Sequence, residues 1–276
     1  MTNRQPTNPA YPIVTLITDF GLTDEYVGVV KGVMLCHNPA LRIVDISHLI
    51  PPQNISRASH LLNRSYRFFP PGSVHLVIVD PGVGSNRPLL AIHAEAYFFV
   101  GPDNGIFTAI LNGVRPPIVH RITESDLFLP RVSATFHGRD IMAPVAAQLA
   151  TGLPITRVGP PILPKDCLLN VPGSSAVIND VLHGEITHVD RFGNLCTNIS
   201  RSDVEKFAEG KKLSFWIGEE AEILDIPLAS SYVGQEKNGL VALYDSHNFL
   251  EIAANRGNAA QRLQAATGCK VLLFRR

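Results

Sequence analysis

The feature that most constrains the fold is a short apolar run, HLVIV at residues 75–79, which stops at Asp80 and a glycine-rich turn. Its β-branched residues suit a strand buried on both faces, as in a parallel sheet. Asp80 then lies at the carboxyl end of that strand, where open α/β sheets bind ligands. The glycines turn the backbone, so Arg87 can fold back towards Asp80. The same residues would also suit a plain strand, a turn and a surface ion pair.

Two strand-and-helix pairs precede this run. The periodicity predicts strands over 13–18 and 41–46 and helices over about 24–36 and 55–68. This βαβαβ order predicts a parallel sheet with right-handed crossovers. Asp19 ends the first strand as Asp80 ends its own, so we expect both to face one crevice. Further strand is predicted over 89–100, interrupted near Glu95, and a short helix follows it over 106–111.

An apolar helix is predicted over 141–150, directly after His137 and Gly138. Free backbone N–H groups and the helix dipole favour anions at such a start. A histidine there is more often a capping or packing residue.

The composition changes after this helix. Residues 152–175 are rich in proline and lack a helical period, which suggests an extended connection between domains. Short strand-like runs follow at 184–189, 213–217, 240–244 and 270–274, typical of a small antiparallel β-barrel or sandwich. We therefore expect a tail over 1–12, a largely parallel α/β domain over 13–151, a linker over 152–175 and a smaller antiparallel β-barrel domain over 176–276.

Charge and cysteine content narrow the class of partner. Lysine plus arginine and aspartate plus glutamate both number 24, which argues against nucleic acid or a membrane surface and favours a small molecule. The four cysteines are far apart, so neither a zinc knuckle nor a disulfide framework is indicated. The proline-rich start lacks the apolar segment of a signal peptide, and no later run is long enough to span a bilayer. We expect a cytoplasmic protein.

Several short motifs occur in order along the chain. They are TDFG at 18–21, VDPGVGS at 79–85 followed by Arg87, PDNG at 102–105, TFHGRD at 135–140, DRFGN at 190–194 and SHNFLEIAANRGNAA at 246–260. Together they resemble the S-adenosylmethionine hydroxide adenosyltransferase family, which is related to the fluorinase and chlorinase. The resemblance implies an amino-terminal α/β domain and a carboxy-terminal β-barrel. It also implies a homotrimer that binds its ligand between one subunit's first domain and its neighbour's second.

The resemblance also implies a reaction, in which hydroxide attacks the ribose C5′ of S-adenosyl-L-methionine and releases adenosine and L-methionine. The family's side-chain set for activating water matches Asp80, Arg87 and His137. Arginine stays protonated and favours developing hydroxide, aspartate accepts a hydrogen bond from water, and histidine relays a proton near neutral pH. The sulfonium is an excellent leaving group, so no metal or cofactor is expected and S-adenosyl-L-methionine is the substrate.

Binding roles carry over from the family in the same way. Asp19 matches the residue that accepts hydrogen bonds from both ribose hydroxyls, and Asp80 also borders the ligand. Asp190 matches the partner of the methionine ammonium, and Asn194 matches a residue that bonds the adenine. Phe192 packs nearby. Ser246 lies in the region that borders the adenine, and we expect it to contribute there.

Three alternatives remain. A halogenase is disfavoured because Asp80 replaces the tyrosine of the fluorinase and chlorinase, and its charge would repel halide. A non-catalytic adenosine or S-adenosylmethionine binding protein would not need Arg87 and His137. A metal-dependent hydrolase could use Asp19, Asp80, Asp103 and His137, but the chain has no HxH, HExxH or DxD spacing.

Overall fold

The first half of the chain folds into the alternation of strands and helices that its sequence predicts. In the computed structural model β1 (Ile13–Thr18), β2 (Arg42–Ser47) and β3 (Val74–Ile78) are parallel, in the order β2-β1-β3. They are connected by α1 (Tyr26–His37) and α2 (Ile55–Ser65), and a 3-10 turn over Tyr66–Phe68 follows α2. β1 and β3 are neighbours, so the segments that follow them begin at the same edge of the sheet.

The sheet becomes antiparallel on its other side. β4 (Leu89–Ala94) and β5 (Tyr97–Pro102) form a hairpin whose turn holds Glu95 at a φ of 55°, where the sequence predicted an interruption. β5 pairs with β3 in parallel, and β6 (Ile118–Arg121) and β7 (Pro161–Ile162) extend the sheet beyond β4. The full order is β2-β1-β3-β5-β4-β6-β7.

Helices cover both faces of this sheet, as a sandwich requires. Met34 of α1 and Met142 pack with Leu76 on one face, and Leu62 of α2 packs with Phe99 and other residues on the opposite face. The remaining elements are α3 (Thr108–Leu111), a π-helical turn over Gly138–Met142 that leads into α4 (Ala143–Ala150), and 3-10 turns over Ser125–Leu127, Ile155–Arg157 and Pro164–Asp166. The helical backbone therefore begins at Gly138, three residues before the predicted start.

The expected linker differs from the structure over most of its length. The first compact unit extends to Asn170, beyond residue 151, and the second unit follows it. Within 152–170, β7 adds a strand to the sheet and Cys167 is buried. The Leu168 N–H also donates to the Asp103 carboxylate at 2.8 Å. The prolines interrupt the periodicity of apolar residues from which strands and helices are predicted. Contacts with segments distant in the sequence hold residues 152–170 in place instead.

The second unit is a curled antiparallel sheet. Its strands are β8 (Ala176–Ile178), β9 (Val181–Val189), β10 (Leu195–Ser200), β11 (Leu213–Ile217), β12 (Leu240–Tyr244), β13 (Phe249–Ala254) and β14 (Lys270–Arg275), with helices α5 (Arg201–Ala208) and α6 (Ala259–Leu263). The order is β11-β14-β9-β10-β13-β12, and β8 pairs with β9. Leu224 bridges to β11 and Leu228 bridges to β12, so one segment touches both edge strands. This confirms the predicted barrel class.

The structure describes residues 12–170, 173–218, 222–233 and 236–276. The predicted tail over 1–12 lies outside these ranges except for Pro12. No helix in the described ranges is both long enough and apolar enough to cross a membrane.

Candidate active site

A cavity of about 230 Å³ opens at the carboxyl ends of β1 and β3. Residues of four segments line it: Asp19 and Phe20; Gln53; Ile78, Asp80, Pro81 and Val83; and Thr135 to Gly138. The predicted neighbours Asp19 and Asp80 therefore do share one crevice, and His137 joins them from the start of the helical segment that leads into α4.

Asp80 and Arg87 form a two-pronged ion pair beside this cavity. Arg87 Nε donates to Asp80 Oδ1 at 2.6 Å, and Arg87 Nη2 donates to Asp80 Oδ2. The two side chains are only 5% and 9% exposed, so this is not the surface pair that the sequence left open. Paired hydrogen bonds between a guanidinium and a carboxylate fix both groups in orientation as well as in charge.

The glycines of the turn allow this pair to form. A Cβ at Gly82 would lie 2.9 Å from Arg87 Cδ, so a side chain there would displace the arginine. Gly84 has a φ of 80°, and a Cβ on it would lie 2.5 Å from the backbone oxygen of Ala134. The turn thus packs directly against the segment that carries His137, which no local pattern in the sequence indicated.

Arg87 also contacts His137, and this contact defines the state of the imidazole. Both Nη1 and Nη2 lie 3.2 Å from His137 Nδ1. Because a guanidinium has donors and no acceptor, Nδ1 must be the unprotonated nitrogen. The neutral ring then carries its proton on Nε2. Asp80, Arg87 and His137 thus form one hydrogen-bonded series.

The surroundings favour the neutral imidazole. Burial lowers the pKa of His137 below its usual value, and the positive charge of Arg87 lowers it further. The negative charges of Asp80 and Asp140 act in the opposite direction but do not reverse the change. His137 is therefore uncharged near neutral pH.

Asp19 is held from outside its own loop. Its Oδ2 accepts a hydrogen bond of 2.8 Å from the backbone N–H of Gln53, a residue that sequence reasoning did not identify. Gln53 has a φ of 64° and follows Pro51 and Pro52 in the turn before α2. The proline pair is the one signal that marks this turn in the sequence.

The predicted site residues of the second unit lie in two turns of its own sheet. Asp190 follows β9 and accepts hydrogen bonds from the backbone N–H groups of Phe192 and Asn194 at 2.8 and 2.9 Å, and from Asn194 Nδ2 at 3.0 Å. Asn194 is buried and Phe192 is 75% exposed. Ser246 lies in the turn after β12, with its hydroxyl 3.0 Å from Nδ1 of His247.

Asp103 of the PDNG motif does not join the cavity residues named above. It accepts the Leu168 N–H, and its neighbour Asn104 donates to the Val79 carbonyl at 2.9 Å. This motif therefore supports the backbone next to Asp80. Among the residues that the structure describes, no three or more His, Cys, Asp or Glu side chains are grouped as a metal site would require.

Two family models match the chain over most of its length. The SAM hydroxide adenosyltransferase N-terminal domain matches residues 14–159, and the C-terminal domain of the same family matches residues 184–272. The chain belongs to the SAM hydroxide adenosyltransferase family. This confirms the resemblance that the sequence motifs indicated.

Several known proteins match nearly the whole chain. A protein of Thermus thermophilus named (R)-S-adenosyl-L-methionine hydrolase is 35% identical over 95% of this chain and 99% of its own. A fluorinase of an Actinoplanes species is 26% identical over 94% and 96%. A crystal structure of an uncharacterized conserved protein from Thermotoga maritima, 37% identical, superposes with a TM-score of 0.86 and covers 95% of this chain and 100% of that one.

Proposed function

We propose that this chain hydrolyses S-adenosyl-L-methionine to adenosine and L-methionine by attack of hydroxide at the ribose C5′. The observation that carries the proposal is the hydrogen-bonded series from Asp80 through Arg87 to His137, next to the cavity that Asp19 also lines. The full-length similarity to relatives named (R)-S-adenosyl-L-methionine hydrolase supports the same reaction.

The series has the groups that the displacement needs. Asp80 accepts one proton from water while the new O–C5′ bond forms, and the C5′–S bond breaks with its electron pair left on sulfur. The sulfonium thereby becomes the neutral thioether of methionine, and the proton is later released to solvent. Arg87 stays charged and stabilises the negative charge that develops on the attacking oxygen.

His137 takes a narrower role than the proton relay that the sequence suggested. Its Nδ1 is occupied by Arg87, so the ring offers the proton on Nε2 to a water. We propose that His137 orients the attacking water and that Asp80 accepts its proton.

The same charges argue for water over halide as the nucleophile. A carboxylate at position 80 would repel an approaching halide, whereas it can bond a water. The relatives point in the same direction, since the hydrolases are 33–35% identical to this chain and the fluorinases 24–26%. The substrate binds without a metal or other cofactor in this account.

Substrate binding divides between the two units. Asp19 bonds the ribose hydroxyls, Asp190 the methionine ammonium and Asn194 the adenine, with Phe192 and Ser246 bordering the base. We further propose that a homotrimer brings the first unit of one subunit to the second unit of its neighbour, because such closed head-to-tail contacts build a shared site that excludes water.

Product analysis tests the reaction. The full-length protein is incubated with each sulfonium epimer of S-adenosyl-L-methionine separately, with and without EDTA and with added chloride or fluoride. We expect adenosine and L-methionine in equal amounts and no effect of EDTA. The name of the relatives, (R)-S-adenosyl-L-methionine hydrolase, predicts that the (R) epimer reacts faster.

Other products would assign the chain differently. A 5′-halo-5′-deoxyadenosine would make it a halogenase, and S-adenosylhomocysteine would make it a methyl-transfer enzyme. Tight binding of adenosine without any turnover would support a non-catalytic binding protein. Loss of activity with EDTA would overturn the metal-free mechanism.

A further inference from the structure

A buried threonine and histidine meet behind the loop that carries Asp19. Thr18 is the last residue of β1, and its Oγ1 lies 2.9 Å from Nδ1 of His48, which follows β2. Thr18 is 1% exposed and His48 is 3% exposed. Neither residue lines the cavity, so neither can contact the substrate there directly.

An irregularity in β2 produces this pairing. Leu16 lies opposite Asp45, but Ile17 lies opposite Ser47, so β2 has one residue more than β1 at this point. Such a bulge re-aims the side chains that follow it. In a regular register Thr18 would lie opposite Ser47. The bulge brings His48 beside Thr18 instead.

The backbone around Asp19 is bonded to the same two residues. The Phe20 N–H lies 3.3 Å from Thr18 Oγ1, which accepts its hydrogen bond, and the Gly21 N–H donates to the His48 carbonyl at 2.8 Å. The Asp19 carboxylate itself accepts from Gln53, five residues after His48. The segment from His48 to Gln53 therefore holds the backbone that follows Asp19, through the Gly21 N–H, and also holds the Asp19 side chain.

The histidine is in turn fixed from the protein surface. His48 Nε2 lies 3.1 Å from Asp45 Oδ1, and the other oxygen of Asp45 accepts from Lys31 of α1 at 2.6 Å. The contact to Nε2 is electrostatic and poorly directed, because Nε2 has no partner in hydrogen-bond geometry among the residues that the structure describes. It is nevertheless consistent with a proton on Nε2 and an Nδ1 that accepts the Thr18 hydroxyl, which leaves Thr18 Oγ1 free to accept from Phe20.

We propose that Thr18 and His48 are positioning residues, which hold Asp19 in the orientation that bonds the ribose hydroxyls of the substrate. The inference rests on the ribose-binding role given to Asp19 in the proposed function. It gives a role to Thr18, which the TDFG motif contains without assigning it one, and to His48, which lies outside the motifs and the cavity. Their effect passes through the Asp19 loop and not through the Asp80, Arg87 and His137 series.

Thr18→Val tests this with little change in side-chain volume. It removes the acceptor for Phe20 and the partner of His48. We expect KM for S-adenosyl-L-methionine to rise about 10-fold while kcat changes less than about 3-fold, since the lost interaction serves binding. Thr18→Ser keeps the hydroxyl and should restore KM to near the wild-type value.

The chain contains a matched control in the same strand. Thr15 of β1 lies 2.8 Å from Nδ1 of His75 through its own hydroxyl, and both residues are fully buried. This pair has the same chemistry but does not bond the Asp19 loop. Thr15→Val should therefore lower the melting temperature much as Thr18→Val does, and it should leave KM unchanged.

Ribose discrimination separates this inference from the proposed function. Binding of adenosine and of 2′,3′-dideoxyadenosine is measured by calorimetry for the wild type, Thr18→Val and Thr15→Val. We expect the wild type and Thr15→Val to prefer adenosine about 100-fold, and Thr18→Val to prefer it only about 10-fold. His48→Gln provides a second variant if Thr18→Val does not fold.

Each outcome decides a different statement. A wild type that binds both nucleosides equally would overturn the role of Asp19 itself. A wild type that discriminates, beside Thr18 and His48 variants that discriminate equally well, would overturn the positioning role alone. Equal KM changes in Thr15→Val and Thr18→Val would reduce the Thr18 pair to a general contribution to stability.

Discussion

The two units hold their aspartates in opposite ways. In the first unit Asp80 is bonded by Arg87, seven positions away, and through it to His137, 50 positions beyond Arg87. In the second unit the hydrogen bonds that Asp190 accepts from Phe192 and Asn194 remain within four positions of it. One carboxylate depends on the tertiary fold of its unit, and the other depends on a single turn.

This difference suggests that the Asp80 site serves catalysis and the Asp190 turn serves substrate binding. A nearly buried carboxylate and guanidinium, joined to a half-buried imidazole, can hold a water and accept its proton, because each member of the series is fixed by another. A turn that satisfies its own carboxylate can present charge and an exposed ring to a ligand without any change in the unit's core. We therefore expect changes in the Asp80, Arg87 and His137 series to lower turnover and changes in the Asp190 turn to weaken binding.

The largest expected effect is that of Asp80→Asn, which keeps the shape and removes the charge and the proton acceptor. We expect kcat to fall about 1,000-fold, because general-base and electrostatic contributions are lost together. Adenosine affinity, measured by calorimetry, should change only a few-fold. Equal losses in turnover and affinity would contradict the proposed division.

A smaller effect is expected of Arg87→Lys, which keeps the charge but loses the fork that bonds Asp80 and His137 at once. Steady-state kinetics should show kcat lowered about 100-fold. Arg201→Lys is the matched control, because Arg201 pairs with Glu205 on the surface and is 52% exposed. Arg201→Lys should have the wild-type kcat. A wild-type kcat in Arg87→Lys would show that the paired N–H donors of the guanidinium are not needed.

Asp190→Asn tests the second unit. The turn can keep its backbone hydrogen bonds through the amide oxygen, while the charge offered to the substrate ammonium is lost. We expect KM to rise about 10-fold with kcat changed less than about 3-fold. A substrate analogue without the amino group should bind the variant and the wild type alike, and a loss of kcat alone would place Asp190 in the chemistry.

The smallest effect concerns pH. The folded state lowers the pKa of His137, so protonation of the ring begins only below its usual value of 6.5. Turnover should therefore persist as the pH falls through 6.5 and decline below it, and the stability that the neutral ring contributes should be lost over the same range.

Arg87→Met removes one cause of the lowered pKa of His137, so NMR titration of the ring should give a higher pKa in that variant. An unchanged pKa would show that burial alone sets it.

The sequence predicted the parts of the site that depend on local pattern. Asp19 and Asp80 could be placed together because each ends a β-branched run, and parallel strands of a βαβαβ unit end at one edge. The return of Arg87 to Asp80 followed from the turn between them. His137 was located at a helix start, but its bond to Arg87 depends on the packing of the 82–84 turn against Ala134, which is a tertiary contact.

What the sequence could not predict depends on pairing between distant segments. β7 holds a proline beside β6, and the bulge in β2 that brings His48 to Thr18 leaves no mark in the alternation of apolar residues. β10 and β13 were missed because LCTNIS and FLEIAA do not alternate strictly. For the second unit, the sequence therefore predicted the fold class, an antiparallel β-barrel, better than the individual strands.

The most direct test of the central claim is the fate of solvent oxygen. The protein turns over S-adenosyl-L-methionine in H2¹⁸O, and mass spectrometry with fragmentation locates the label. Attack at C5′ predicts one ¹⁸O in the 5′ hydroxyl of adenosine and none in methionine. Labelled homoserine with 5′-methylthioadenosine, or adenosine without label at its 5′ oxygen, would contradict displacement of methionine by water held at Asp80, Arg87 and His137.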